Sequence, residues 1–60
     1  MTKYTVWFKD NATGADSPID EIMAYDGYMA DNYRKDCADS ADDGWNEMLN
    51  NGTIRLEPVV

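Results

Sequence analysis

The sequence predicts a small α+β domain spanning residues 1–60: two terminal β-strands paired in a small sheet, with two or three short helices packed on one face. Three observations predict it. They are an alternating apolar run at the N-terminus, a helix-start signal at Ser17-Pro18, and an apolar helix face followed by a second alternating run near the C-terminus. From Thr2 to Lys9, Tyr4, Val6 and Phe8 alternate with Thr5, Trp7 and the lysines, the period of a strand with one buried face. The stretch Asp10 to Asp16, DNATGAD, is rich in turn formers and reads as a loop. Ser17 as N-cap, Pro18 at the first helical position, and Asp20 and Glu21 in the first turn then predict a helix.

On that helix Ile19, Ile22, Met23, Met29, Ala30, Tyr33 and Cys37 fall within a stripe of about 120°, the signature of an amphipathic face. Asp26 interrupts the stripe and Gly27 follows it. Because a buried, unpaired carboxylate is costly, a kink or break is expected at Asp26-Gly27, with Asp26 capping a second helix from Tyr28 to Cys37. A continuous helix is the alternative. Ser40 is placed to cap a further helix with Asp42 and Asp43 in its first turn and Trp45, Met48 and Leu49 facing inward. Asn51-Gly52 should end it, with glycine in the left-handed conformation. Thr53 to Val59 reads as the second strand, with Ile54 and Leu56 on one face, Arg55 and Glu57 on the other, and Pro58 marking an edge or an end. Met23, Met29 and Met48 are expected to fill the core, and Cys37 to be a buried, inert thiol.

Sixty residues bury only about 60% of the surface that their unfolded chain exposes, which leaves a thin stability margin and no depth for a catalytic cleft. One cysteine and no histidine remove the disulfide framework, the usual zinc ligands and the commonest general base. The run Asp39 to Gly44 matches a calcium loop poorly, with Ala41 at its third position and Asn50 where a bidentate glutamate is required. The expectation is a protein that is not an enzyme and uses no cofactor or metal. MTKYTVWFKD lacks the apolar core of a signal peptide, and no segment approaches the roughly 20 apolar residues of a membrane span. A cytoplasmic protein without membrane partners is expected, in a bacterial host cell if the gene is phage-borne.

Charge is the most distinctive feature. The net charge is −7, and KDCADSADDGWNE, Lys35 to Glu47, holds five carboxylates against one lysine. Residues 16 to 47 carry ten acids against Arg34 and Lys35, so all the excess negative charge belongs to the part read as helical. Some of it is structural: Asp20, Glu21, Asp42 and Asp43 in first turns each stabilise a helix by roughly 0.3–1 kcal/mol through its macrodipole. Asp26, Asp31, Asp36, Asp39, Asp43 and Glu47 are the acids least explained locally, and Asp43 and Glu47 are like charges at i, i+4. Uncompensated acids destabilise a small domain unless a basic partner uses them, and the commonest basic surfaces in a cell bind nucleic acid.

Size, charge and amphipathic helices together give the chain a resemblance of class to the DNA-mimic inhibitors that phages and mobile elements use against restriction, CRISPR or repair enzymes. The resemblance implies a non-enzymatic acidic inhibitor whose carboxylates occupy the places of phosphates on a basic protein surface, without binding nucleic acid itself. The alternative is a structural or regulatory interaction protein, monomeric or homodimeric, that meets its partner through an apolar sheet face around Trp7, with its acids serving solubility. Trp7 points away from Tyr4, Val6 and Phe8, so it either contacts a partner or belongs to a second small core.

Overall fold

A computed structural model of the chain describes residues 1–59. The N-terminal alternation forms β1 (Thr2–Asp10), with Val6 fully buried and Phe8 nearly so. The turn-rich stretch is a hairpin connection: the Asp10 amide donates to the Ala15 carbonyl at 2.9 Å, the Asp10 carboxylate accepts from the Ala12 amide at 2.7 Å, and Gly14 supplies the positive φ of 74° that the turn requires. The chain then returns as β2 (Asp16–Ala24), turns at Asp26-Gly27, and forms α1 (Ala30–Ser40), α2 (Asp43–Asn50) and β3 (Gly52–Pro58).

The sheet order is β2-β1-β3, with β1 antiparallel to both neighbours. The terminal strands therefore pair with each other, as expected, but the sheet has a third strand. Residues 16–24 form β2 where the serine, proline and acids predict a helix. The reason lies in a β-bulge. Val6 pairs with Asp20 and Trp7 with Pro18, so Ile19 is an extra residue opposite the break in register. It lets Ile19 and Ile22, three apart, both pack against the core, which reproduces a helical spacing on an extended strand.

Other expectations change with it. Asp26 caps no helix; it accepts a hydrogen bond from the Thr2 hydroxyl at 2.6 Å, while Gly27 makes the turn with a φ of 92°. Met29 occupies the N-cap position of α1, and the Asn32 side chain accepts from the Met29 amide at 3.0 Å. Asp42, not Ser40, caps α2, accepting from the Trp45 amide at 2.8 Å, whereas the Ser40 hydroxyl donates back to the Asp36 carbonyl at 2.7 Å. Met23 and Met29 are 58% and 67% exposed and fill no core, while Met48 is half-buried against it.

The core joins Val6, Phe8 and Ile54 of the sheet to Tyr33, Cys37 and Leu49 of the helices, with Trp45, Ile19 and Ile22 at its margin. Cys37 is a buried free thiol. The helices are fastened by Arg34, whose Nη1 donates to the Leu49 carbonyl at 2.9 Å and Nη2 to the Gly52 carbonyl at 2.8 Å. The Leu49 carbonyl lies in the last turn of α2, where a cation also complements the dipole, and the Gly52 carbonyl opens β3. Asn46 tightens the helix junction, its amide donating to the Cys37 and Asp42 carbonyls at 3.1 Å each.

Gly52 does not adopt the left-handed conformation expected of it; it is the buried first residue of β3, and a Cβ there would fall within the Phe8 ring and against the Lys9 carbonyl. Close approach, not turn geometry, requires glycine. Gly52→Ala should therefore destabilise the fold by about 1–3 kcal/mol through overpacking, read as a lowered urea midpoint at constant m. A midpoint equal to that of the parent would mean that Phe8 can move aside.

Candidate functional site

Both helices pack toward β3, so the inner side of β2 is left partly open. Between β2 and the helices lies a groove of about 720 Å³. Its floor is apolar, from Ile22 and Ala24 of β2 to Cys37 of α1 and Ala41. Its walls are aromatic, from Tyr28, Tyr33 and Trp45, and three carboxylates, Asp20, Asp36 and Asp42, line it.

Each carboxylate is positioned from the backbone upward. The bulge turns Asp20 toward α1, where it accepts from the Tyr33 hydroxyl at 2.9 Å and from the Glu21 amide at 2.8 Å. Asp36 lies one turn after Asn32 on the same flank of α1 and accepts from the Tyr28 hydroxyl at 2.5 Å. Asp42 is fixed by its capping bond. None of the three takes part in a salt bridge among the described residues. Loss of water around its hydroxyl, reinforced by the bond to Asp36, pushes Tyr28 well above the ordinary tyrosine range, and burial with the bond to Asp20 does the same to Tyr33. Both tyrosines stay neutral at neutral pH and donate to these carboxylates.

The two sides of the molecule differ in charge. On the outer face of the sheet Lys3, Lys9 and Arg55 meet Asp16, Glu21 and Glu57: Lys3 pairs with Glu21 at 2.7 Å, and Arg55 with both Asp16 and Glu57 at 2.8 Å. That face is neutral. The remaining nine acids of the chain, seven in the helices, their caps and the Asp26 turn plus Asp10 and Asp20 of the strands, are set against only Arg34 and Lys35, so the whole net charge of −7 lies off the outer face. Arg34 is committed to backbone carbonyls, which leaves Lys35 as the one exposed side-chain cation of the helical side among the described residues.

Of the acids singled out from sequence, Asp36 lines the groove and Asp39 is exposed on the same flank of α1, three residues on. Asp31 lies in the first turn of α1 and points away from that flank; Asp43 and Glu47 share the outward side of α2. Asp26 is apart from the others, in the turn beside Thr2. Trp7 sits half-buried on the outer sheet face with the Arg55 guanidinium 4.9 Å above its ring. Its surroundings are charged rather than apolar. Asp20, Asp42, Tyr33 and Trp45 enter the site without having been singled out for it, because the groove exists only once residues 16–24 are a strand.

No family model, curated protein or solved structure matches the chain. Among the described residues no helix is long and apolar enough to cross a membrane.

The tyrosine environments set an alkaline limit. Folding favours the neutral hydroxyls, so their contribution is intact below the ordinary value of 10.0 and is lost as pH rises past it, where the unfolded chain ionises first. Tyr33 alone should steepen the loss by about 1.4 kcal/mol per pH unit above pH 10. Tyr33→Phe should be less stable than the parent at pH 7 by about 1 kcal/mol, with the difference shrinking as pH rises in urea titrations. Parallel curves for the two proteins would show that the hydroxyl is not so held.

Proposed function

We propose that the protein is a non-enzymatic inhibitor that sets its acidic helical side against the basic, nucleic-acid-binding surface of another protein and blocks it, in the manner of the DNA mimics of phages and mobile elements. The observation that carries this reading is the segregation of charge. On the outer sheet face three cations balance three acids, and two of those cations, Lys3 and Arg55, hold all three acids in salt bridges. On the helical side it leaves Asp31, Asp36, Asp39, Asp43 and Glu47 without a salt-bridge partner among the described residues, and keeps Asp43 and Glu47 at a repulsive spacing. A side so charged raises the encounter rate with a basic surface and orients the complex. Carboxylates from α1, α2 and the intervening cap are spread over several directions, which suits a curved, phosphate-like array better than a single row.

The test is capture from a bacterial lysate on immobilised protein, followed by elution with a DNA or RNA duplex. Release of a nucleic-acid-binding enzyme or regulator by the duplex is the expected result. Capture should weaken steeply with salt and disappear when Asp36, Asp39, Asp43 and Glu47 are all changed to lysine, while Trp7→Ala leaves it intact. If capture survives the fourfold reversal and is lost in Trp7→Ala, the acidic side is not the binding surface.

A further inference from the structure

The groove is unlike the rest of the acidic side, because there the carboxylates stand beside apolar and aromatic surface in a concavity. A volume of about 720 Å³ is more than one side chain fills and lies within the range of binding pockets. Among the described residues its three acids have no salt-bridge partner, and each is held in place by a hydrogen-bond donor of this chain. Trp45 and Tyr28, both only partly buried, offer ring surface on which aliphatic stems and cationic heads are both favourable. The adjoining strand, β2, pairs on one side only, so the segment from Asp20 to Ala24 past the bulge presents an unpaired backbone edge beside the groove. Edge, apolar floor and unneutralised acids together select an extended basic chain.

We propose that the groove seats an extended, basic segment of the partner protein, laid along β2 with lysine or arginine side chains entering among Asp20, Asp36 and Asp42. The inference rests on the reading of the acidic side as the binding surface and adds which part of it makes the specific contact. Main-chain bonds to the strand edge would supply affinity, and the alternate side chains of the added segment would supply specificity.

The probe is a synthetic peptide of alternating arginine and valine, with its glutamate and valine counterpart as control, titrated into isotopically labelled protein and followed by NMR. Saturable shifts of the Trp45 indole and of the Asp20 to Ala24 amides are expected with the basic peptide and not with the acidic one. The triple variant D20N/D36N/D42N removes the three charges and keeps one acceptor oxygen at each position, including the α2 cap; only at Asp20, which accepts from Glu21 through one oxygen and from Tyr33 through the other, is one bond given up, and the variant's own amide spectrum shows whether the fold is kept. Its affinity should fall by about tenfold or more. Shifts spread equally over Asp31, Asp39, Asp43 and Glu47, or equal affinity in the triple variant, would overturn the proposal. The same variant separates the two readings in lysate capture. If it still captures a duplex-released partner, the groove proposal fails and the acidic-side reading stands; if the parent captures none, the acidic-side reading fails.

Discussion

Arg34 is the interaction on which the arrangement depends. Its guanidinium reaches from α1 to the carbonyls of Leu49 and Gly52, and so joins the first helix to the place where the second ends and β3 begins. Backbone carbonyls at a helix end must find donors, and the last turn of α2 has no basic residue of its own. One side chain thus satisfies the helix end, sets the helices over β3 and leaves β2 the open side of the sheet. It also removes one of two cations from the helical surface, so the element that secures the fold exposes the charge.

The groove follows from that placement. With the helices drawn toward β3, the Tyr33 bond to Asp20 spans from α1 to β2, and the space beside it is filled only in part by Trp45 and Tyr28. A sixty-residue chain has little core to spare. Its core is one cluster of buried residues, Val6, Phe8, Tyr33, Cys37, Leu49 and Ile54, and that cluster closes only where Gly52 lets β3 lie against the Phe8 ring. The opposite face of the sheet is held by ion pairs and by Arg55 over Trp7, which are exposed and individually weak.

Much of this was legible in the sequence. The period-2 run of β1, the apolar face of the last helix, the final strand and the break at Asp26-Gly27 all follow from local pattern, and the charge asymmetry follows from counting. What was not legible has a common cause in β2. Ser17-Pro18-Ile19-Asp20-Glu21 satisfies every local rule for a helix start, and Ile19 and Ile22 have helical spacing, yet tertiary pairing with β1 overrides both. A bulge converts the spacing of two into three, and nothing local in the sequence distinguishes that from a helix turn. Gly52 was legible as an important glycine but not for its reason, since the Phe8 ring that excludes a side chain there is 44 residues earlier in the chain. The candidate site was legible as charge and not as shape: Asp36 was anticipated, while Asp20, Asp42 and the aromatic walls depend on the misread strand.

The central claim is that the helical side carries charge the chain does not compensate, so the free protein tolerates repulsion that a basic partner would relieve. The most direct measurement is the urea midpoint of the isolated protein between about 10 mM and about 300 mM sodium chloride, a range over which the Debye length falls from about 30 Å to below 8 Å. The account predicts that stability rises with salt, because screening weakens the repulsion among the acids more than it weakens the three ion pairs of the sheet. A midpoint that stays level or falls would mean that the acids are balanced within the fold, and would contradict it.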